Sequence, residues 1–269
     1  NFMVEKKPCE PGKVVLDVHH ISIDKKVSGK KAVNNVSFKV REGEIVCIAG
    51  IDGNGQSELV YGLTGLTPLN EGKITLCGKD ITQESIRKRN LAGLAHIPED
   101  RHKYGLVLDY TLAQNLVLKS YFKQGFQRLG FINFKKVEDY AQHLIKQYDV
   151  RSGQGTKTVA RSMSGGNQQK AIIAREIGDD PELLIAVQPT RGLDVGAIEY
   201  IHKQLIAQRD NGKAVLLISL ELDEVLKVSD RILVIYEGEL VADIDPKNAD
   251  INQLGLYMAG SKRDEVAYE

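Results

Sequence analysis

A glycine-rich stretch, Ala49–Leu59, follows an apolar run and has the glycine spacing of a phosphate-binding loop. Such a loop has the pattern G-x-x-x-x-G-K-[ST], in which backbone amides hold phosphates, the lysine reaches the β- and γ-phosphates and the hydroxyl contacts Mg²⁺. Gly50, Gly55 and Ser57 fit this pattern, but Gln56 stands where the lysine is expected. The stretch therefore indicates either an altered nucleotide site or a tight strand-to-helix turn that binds nothing.

A second glycine pair lies at the predicted start of a helix, in the stretch Ser164–Arg175. Glycine lets backbone amides approach a ligand closely, and the N-terminus of a helix carries the positive end of the helix dipole. A hydroxyl, two glycines and this helix start together indicate contact with a phosphate. The structural alternative is a capped helix that merely begins with two glycines. The residues concerned are Ser164, Gly165, Gly166, Asn167 and Gln168.

Alternating strand and helix patterns surround both motifs. Several predicted strands are continuous apolar runs, which are typical of a parallel sheet that helices cover on both faces. The glycine loop follows one such strand and precedes a helix, and this connection presents backbone amides to an anion. The predicted strands lie within residues 13–43 and at 44–49, 72–76, 91–97, 182–187, 214–220 and 231–236. The predicted helices span 57–64, 111–121, 134–148, 166–178, 195–209 and 221–227.

Composition argues against several classes of protein. The chain has 36 basic and 36 acidic residues, so its bulk charge indicates neither a nucleic-acid partner nor binding to an anionic membrane. Its apolar stretches are far shorter than the roughly 20 residues that a membrane-spanning helix needs. Cys9, Cys47 and Cys77 have neither zinc-site nor disulfide spacing, so we expect reduced thiols, with Cys47 in the core.

The histidines and the C-terminal end receive structural interpretations. His19 and His20 lie in a predicted strand, and we expect no metal site there. His202 is predicted to be solvated on the surface of its helix. The charged residues 257–269 are expected to fray.

The motifs together resemble one protein family. The stretches AGIDGNGQSEL, IPEDR, SGGNQQK, AVQPTRGLDVGA and ISLELDE are similar to the phosphate loop, linker, signature, second nucleotide motif with D-loop, and switch region of ABC transporter ATPases. The SGGNQQK spelling is the one found in importers of simple sugars and nucleosides. By this resemblance the chain is identified as the C-terminal nucleotide-binding half of a tandem ABC importer ATPase subunit, which agrees with the absence of an initiator methionine.

The resemblance implies a P-loop NTPase fold of ABC type. This is an α/β fold with a RecA-like core, an N-terminal antiparallel β subdomain and a helical insertion. The implied divisions are a linker from a missing N-terminal half (1–12), the cassette (13–245, with its core at about 13–104 and 166–245 and a helical subdomain at about 105–165), and a C-terminal helix and tail (246–269).

By the same resemblance, the glycine loop and linker would bind ATP or ADP with Mg²⁺, and the hydroxyl of Ser57 would contact the metal weakly. Three positions depart from the family pattern: Val187 replaces the acid that supports Mg²⁺, Gln188 the base that polarises water, and Leu220 the switch histidine. Together with Gln56, these departures predict little turnover at this site. The implied nucleotide-binding residues are Gly50, Asp52, Gly53, Asn54, Gly55, Gln56, Ser57, Glu58 and Glu99, the last in the place of the linker glutamine.

The motifs that are retained are those that the family contributes to a partner's ATP. The signature residues Ser164–Gln168 and Asp194 of the D-loop would complete an ATP site on a second cassette. The implied partners are the N-terminal half, transmembrane permease subunits and, indirectly, a substrate-binding lipoprotein. The chain would then be a peripheral part of a transport ATPase at the cytoplasmic face of the membrane. That ATPase would import nucleosides or related solutes, and this half, soluble by itself, would be catalytically impaired.

Three alternatives stay open. The first is a self-sufficient ATPase that homodimerises and uses unusual catalytic residues. The second is a soluble ABC protein that does not take part in transport. The third is a cassette that is losing its functional residues in general. The SGGNQQK spelling and the balanced charge argue against the second alternative. The confinement of the losses to the chain's own site argues against the third.

Overall fold

A computed structural model describes residues 5–268, which form two compact units. The core unit comprises the chain up to His96, Glu182–Gln188 and the chain from His202 onward. The helical unit comprises Ile97–Pro181 and Pro189–Ile201. The domain boundaries implied by the resemblance stay predictions, and part of the linker expected at 1–12 and the end of the tail at 269 lie outside the described residues.

The secondary-structure elements follow the predicted alternation of strands and helices. The strands are β1 (Val14–Asp24), β2 (Lys31–Arg41), β3 (Ile45–Ala49), β4 (Glu71–Leu76), β5 (Lys79–Asp80), β6 (Leu94–Ile97), β7 (Gln127–Arg128), β8 (Phe131–Ile132), β9 (Leu183–Val187), β10 (Ala214–Ser219), β11 (Arg231–Tyr236) and β12 (Glu239–Ile244). The α-helices are α1 (Gln56–Thr64), α2 (Ile86–Leu91), α3 (Leu112–Leu116), α4 (Phe134–Gln147), α5 (Gly165–Ile177), α6 (Val195–Asp210), α7 (Leu222–Val228) and α8 (Ile251–Met258). A π-helical turn spans Arg101–Gly105, and short 3₁₀ turns span Gly155–Lys157, Ala160–Ser162 and Pro246–Asn248.

Two sheets build the core unit. The first has the strand order β2-β1-β4-β5 and is antiparallel. The second has the order β12-β11-β3-β10-β9-β6. In it β11, β3, β10 and β9 run parallel, and β12 pairs antiparallel with β11. The predicted α/β fold with an antiparallel β subdomain and a helical part is confirmed.

Burial explains why the apolar runs became central strands. Every residue of β3 (IVCIA) and β10 (AVLLIS) is buried, as expected for parallel strands that are covered on both faces. Cys47 lies within β3 and is fully buried, which confirms its predicted place in the core. In the antiparallel sheet, burial alternates in the second half of β2, at residues 36–41. A left-handed residue in β1, His20 with φ 47°, accompanies a shift of its register with β2.

One helix of the helical unit is shorter than predicted. Thr111 caps α3 through a capping box, in which Thr111 Oγ1 accepts from Gln114 N at 3.2 Å and Gln114 Oε1 accepts from Thr111 N at 2.9 Å. The expected extension to Tyr121 is wrong, because α3 ends at Leu116. At Val117 the backbone leaves the helical range, with φ −107° and ψ 4°, and separate turns follow.

The C-terminal tail is bound to the core unit by hydrogen bonds and packing, so the prediction that residues 257–269 fray is wrong for the part that the structure describes. Asp264 N donates to Val241 O at 2.8 Å, and Tyr268 Oη donates to Asp17 Oδ1 at 2.6 Å. Val266 packs against the hydrophobic core. These contacts extend the tail across strands of the core unit, so its charge does not decide its structure. Among the described residues, none of the helices has the length and apolar character required to cross a bilayer.

Candidate functional site

The glycine-rich loop connects β3 to α1. Gly53 and Gly55 have φ angles of 86° and 105°, in the left-handed region that glycine adopts without strain. At Gly55 a side chain is also excluded by space, because a Cβ there would lie 2.4 Å from the carbonyl oxygen of Ala32. The glycine spacing in the sequence is therefore a backbone requirement of this turn.

Gln56 fills the inside of the loop with its side-chain amide. Its Nε2 donates to the carbonyl oxygen of Ile51 at 2.9 Å, and its Oε1 accepts from the backbone N–H of Asn54 at 2.9 Å. The Asn54 side chain donates to the same Ile51 oxygen at 2.7 Å. Because Gln56 is only 5% exposed, water competes little for these bonds. The loop is thus held closed by its own groups.

An amide makes bonds here that a lysine cannot make. A lysine ammonium is a donor only, so it leaves the Asn54 N–H available, whereas Gln56 Oε1 accepts from it. Among the described side chains none caps the N-terminus of α1, so its first amides remain available to an anion. Glu58 lies in the same first turn, and its negative charge opposes an anion there. The backbone of the loop therefore suits a phosphate, whereas its side chains supply no positive charge to bind one.

The parallel register brings the other predicted positions to the same edge of the sheet. Strands β3, β9 and β10 end level with one another, so Gly50, Gln188 and Leu220, which follow them, share that edge. Val187 is 4% exposed and packs into the hydrophobic core, where its side chain offers no ligand. Gln188 has a left-handed backbone with φ 42°, and its N–H donates to Ile218 O at 2.7 Å.

A buried polar cluster of the core unit corrects the prediction for His202. This residue is 7% exposed, and its Nε2 lies 2.8 Å from Glu224 Oε1. Ser219 Oγ donates to Glu224 Oε2 at 2.5 Å. The expected solvated histidine is wrong because His202 follows Ile201 and precedes Leu205 by three residues, on the apolar stripe of α6. That stripe was visible in the sequence.

Metal ligands are sparse in the described chain. Among residues 5–268, no group of three or more His, Cys, Asp or Glu side chains is arranged to hold a metal ion. His19 and His20 pack edge to face at 4.2 Å between ring centroids. Ser57 is half-buried in the first turn of α1, and its role as a weak Mg²⁺ ligand stays a prediction.

The signature residues form the start of α5 in the helical unit. Ser164 is the N-cap, and its Oγ accepts from Asn167 N at 3.4 Å and from Asn167 Nδ2 at 3.0 Å. Ser164 is exposed, and Gly165 and Gly166 are half-buried. The motif therefore has the expected geometry of an exposed helix N-terminus with a hydroxyl and two glycines.

Two glutamines of the same helix point inward. Gln168 Nε2 donates to Ala160 O at 3.0 Å, and its Oε1 lies 2.9 Å from His102 Nε2. Gln169 Nε2 donates to Pro189 O at 2.7 Å, where the segment leading to the D-loop begins. Gln168, which the sequence places in the signature, thus supports the helix from within, whereas the unpredicted Gln169 ties the helix to the D-loop segment.

Linker residues also hold the D-loop segment. Arg191 Nη1 donates to Glu99 Oε1 at 2.8 Å, and Arg101 Nη1 donates to Arg191 O at 3.0 Å. Burial lowers the pKa of Arg101 from its usual value, since a charged guanidinium loses water there. Arg191 is therefore held at its side chain and at its carbonyl. Neither arginine was predicted, because both contacts join segments that are distant in sequence.

Asp194 completes this arrangement at the start of α6. Its Oδ1 accepts from Ala197 N at 2.9 Å, so it caps the helix as an N-terminal acid does. A Cβ on Gly166 would meet Ala197 at 3.3 Å, so the signature glycine allows the D-loop helix to approach closely. The signature, the D-loop and Glu99 thus belong to one compact unit, and the phosphate loop, Gln188 and Leu220 belong to the other.

A protein-family model and several curated proteins match this chain. A family model described as ABC transporter matches residues 33–191. The guanosine import ATP-binding protein NupO of Bacillus subtilis is 51% identical over 266 residues, which cover 99% of this chain and 52% of that protein. The nucleoside import ATP-binding protein NupA of Lactococcus lactis is 51% identical over 265 residues, which cover 98% of this chain and 52% of that protein. The chain therefore spans about half the length of the curated relatives it matches.

Solved structures share the fold at low sequence identity. A nucleotide-free ATP-binding cassette from an ABC transporter matches with a TM-score of 0.74 and 21% identity, covering 91% of this chain and 99% of that one. The dimeric cassette MJ0796 bound to ADP and Pi matches with a TM-score of 0.72 and 20% identity, covering 87% of this chain and 100% of that one.

Proposed function

The chain belongs to the ABC transporter family of ATP-binding cassettes, and from this premise we propose that it is the ATP-binding component of an importer for nucleosides or related small solutes. Two relatives at 51% identity are named as guanosine and nucleoside import proteins, whereas a glucose import relative is 41% identical. This order of identity supports a nucleoside as the solute.

Within that importer, we propose that the chain lends its signature and D-loop to the ATP site of a partner cassette. The observation that carries this proposal is the division between the two units. The residues that would serve the partner lie in the helical unit and keep the residue types of the family motif: Ser164–Gln168 and Asp194. The glycine loop and the three departed positions Val187, Gln188 and Leu220 of the chain's own site lie in the core unit, where Gln56 also replaces the expected lysine. Glu99 is the exception, since it lies in the helical unit.

Electrostatics support low turnover at the chain's own loop. Cassettes of this family bind ATP or ADP with Mg²⁺, and phosphoryl transfer depends on positioning and on neutralising charge at the phosphoryl oxygens. Gln56 brings no charge, Glu58 brings the wrong one, and Gln56 already occupies the Asn54 N–H. Loss of one such electrostatic group costs on the order of 10²–10³ in rate, and losses within one site do not multiply. We therefore infer weak or absent binding of ATP, ADP and Mg²⁺ at this loop.

The proposed partner cassette is the N-terminal half of the same polypeptide. The matched relatives leave about half of their own length outside the match, which is room for a second cassette in those proteins. Transmembrane permease subunits are the further partners, and a substrate-binding lipoprotein acts through them. In this assembly the chain lies at the cytoplasmic face of the membrane, and the linker around Glu99 transmits closure to the D-loop through Arg191.

ATP turnover of a two-cassette protein tests this division. Gly165→Asp puts a negative charge at the signature and is expected to lower turnover on the order of 10²–10³-fold. Gln56→Ala, at the chain's own loop, is expected to leave most turnover intact. The matched control is Gly153→Asp, in the same unit, where a Cβ meets nothing within 4 Å. Equal losses from Gly165→Asp and Gln56→Ala would contradict the proposal.

The 269-residue chain by itself separates this proposal from the first alternative. We expect only background hydrolysis of ATP in the presence of Mg²⁺. Robust hydrolysis that depends on Mg²⁺ would instead establish a self-sufficient, homodimerising ATPase with unusual catalytic residues.

A further inference from the structure

A short hairpin lies between α3 and α4, and hydrogen bonds stabilise its turn and its base. Strands β7 and β8 are joined by Leu129 and Gly130, whose φ angles of 52° and 85° suit a two-residue hairpin turn. Gln127 Oε1 accepts from Gly130 N at 3.1 Å, and the base of the hairpin is closed by Asn133 N, which donates to Phe126 O at 2.8 Å.

The hairpin and the start of α4 carry three apolar side chains, within residues 129–134, that are more than three-quarters exposed. Leu129 is 88% exposed, Phe131 81% and Phe134, the first residue of α4, 76%. Single exposed apolar residues are common, but three of this size around one turn mark an interaction surface. Among the neighbouring aromatic residues, Phe126 instead packs against Tyr140, with 5.0 Å between ring centroids. We call Leu129, Phe131 and Phe134 the hairpin tip.

Basic residues flank the hairpin tip in sequence. The sequence has no acidic residue between Asp109 and Glu138, but it has five basic ones there: Lys119, Lys123, Arg128, Lys135 and Lys136. Lys119 and Lys123 pair with Glu176 and Asp179. Arg128, Lys135 and Lys136 are exposed and form no ion pair with any described residue. These three cations flank the tip in sequence, and Asp139 in the next turn of α4 is an exposed acid nearby.

We propose that the hairpin tip inserts into the headgroup region of an anionic membrane. Apolar side chains that enter the interface, with Lys and Arg held beside the anionic headgroups, are the combination that binds a leaflet without spanning it. Apolar side chains flanked by cations are complementary to an anionic lipid surface. The apolar side chains lose their water on entering the interface, whereas the cations stay hydrated beside the headgroups. The contact goes beyond the proposed use of the ATP site and does not depend on which cassette hydrolyses ATP.

Sedimentation of the 269-residue chain with lipid vesicles tests the proposal. We expect binding to vesicles that contain phosphatidylglycerol, little binding to vesicles of phosphatidylcholine alone, and weakening with added salt. Each Lys or Arg near an anionic leaflet strengthens partitioning about five-fold, so Arg128→Gln/Lys135→Gln/Lys136→Gln is expected to weaken binding on the order of 10²-fold. Leu129→Ser/Phe131→Ser/Phe134→Ser is expected to abolish it, and circular dichroism checks that the fold is kept.

A matched control separates local charge from overall charge. Lys25, Lys26 and Lys30 lie in the exposed turn between β1 and β2, around Val27, which is 100% exposed. Lys25→Gln/Lys26→Gln/Lys30→Gln removes the same number of charges from the core unit, and it is expected to leave vesicle binding unchanged. Equal weakening by both triple variants would overturn the proposal, since the attraction would then come from net charge.

Tryptophan fluorescence reports insertion directly, because the chain contains no tryptophan. Phe131→Trp places the single tryptophan at the hairpin tip, and its emission is expected to shift to the blue when anionic vesicles are added. Val27→Trp is the control and is expected to show no shift. An unshifted Phe131→Trp spectrum, or no preference for phosphatidylglycerol, would overturn the proposal and assign the tip to a protein partner such as a permease.

Discussion

Arg191 and Glu99 form an ion pair with 2.8 Å between Nη1 and Oε1, which joins the D-loop segment to the linker across 92 positions of sequence. The two side chains are 64% and 30% exposed. Exposed pairs of this kind contribute only about 0.2–1 kcal/mol to stability. The pair therefore matters because it positions Arg191, whose carbonyl oxygen also accepts a hydrogen bond from Arg101.

A double-mutant cycle tests this pair. Glu99→Gln and Arg191→Gln are expected to couple by about 0.2–1 kcal/mol in urea unfolding, and each is expected to lower ATP turnover of the two-cassette protein several-fold. The control is the exposed ion pair between Asp109 and Arg161, at 2.8 Å in the same unit. Its cycle is expected to give a similar coupling and no change in turnover. A loss of turnover from both cycles would show a general effect of stability.

Restoring the missing lysine alone is expected to fail. A lysine at position 56 regains the charge for a phosphate, but it cannot accept from Asn54 N as Gln56 does, and Val187, Gln188 and Leu220 remain. We therefore expect Gln56→Lys to raise nucleotide affinity without raising hydrolysis above background. Isothermal titration calorimetry and a phosphate-release assay on the isolated chain measure the two quantities. Substantial hydrolysis by this single variant would mean that the other three positions matter little.

The buried histidine is expected to stabilise the core unit. His202→Ala removes from buried Glu224 the partner 2.8 Å from its Oε1, while the bond from Ser219 stays, and a hydrogen bond to a charged group is worth about 1.5–3 kcal/mol. The control is His143→Ala on the exposed side of α4, which is expected to change stability by less than about 0.5 kcal/mol. Urea titrations of both variants measure the difference. Equal effects would mean that the His202–Glu224 contact adds nothing.

Cys47 is expected to be inert in the folded chain. Burial raises the pKa of its thiol from 9.0 to about 12, so its reactive thiolate is nearly absent at neutral pH. Iodoacetamide is therefore expected to label the exposed Cys9 and Cys77 but to reach Cys47 only after unfolding, as followed by mass spectrometry. Early labelling of Cys47 would show that the central sheet opens locally.

The same shift has a consequence for stability. The unfolded chain loses the thiol proton near pH 9.0, whereas the folded chain keeps it until about pH 12, so the stability that Cys47 contributes is lost as pH rises through that range. Cys47→Ala is expected to be less sensitive to alkaline pH than the unchanged chain. Parallel slopes of unfolding free energy against pH for the two chains would contradict this.

Local patterns in the sequence predicted much of the fold. The apolar runs that became β3 and β10 and the loop-to-helix step at Gly55 depend on neighbours in sequence, and they formed where expected. The inward amide of Gln56 was missed because its partners depend on the closed shape of the loop. The tail was misjudged for a similar reason, since Asp264 is fixed by Val241 of a distant strand.

The sequence predicts the kind of site and its candidate residues, but not the contacts between the segments that form it. Glycines, missing charges and the signature string are written in the sequence, so the candidate residues were named from it. The contacts of Arg101, Gln169 and Arg191 join the linker, the signature helix and the D-loop segment, and no local pattern indicates which distant segments meet. His202 is the exception, because Ile201 and Leu205 already mark the apolar stripe of its helix in the sequence.

The proposed assignment of the partner-serving residues and the phosphate loop to different units also bears on which substitutions such a chain tolerates. The chain leaves the core unit after Gln188, which has a left-handed backbone, and it returns at His202. Between these points lies the D-loop, which belongs to the same unit as the signature. Under the proposed division of roles, a substitution near Gln56 affects only the chain's own loop, whereas a substitution at Ser164 or Asp194 affects the partner's ATP site. The two units are therefore expected to differ in the substitutions they tolerate.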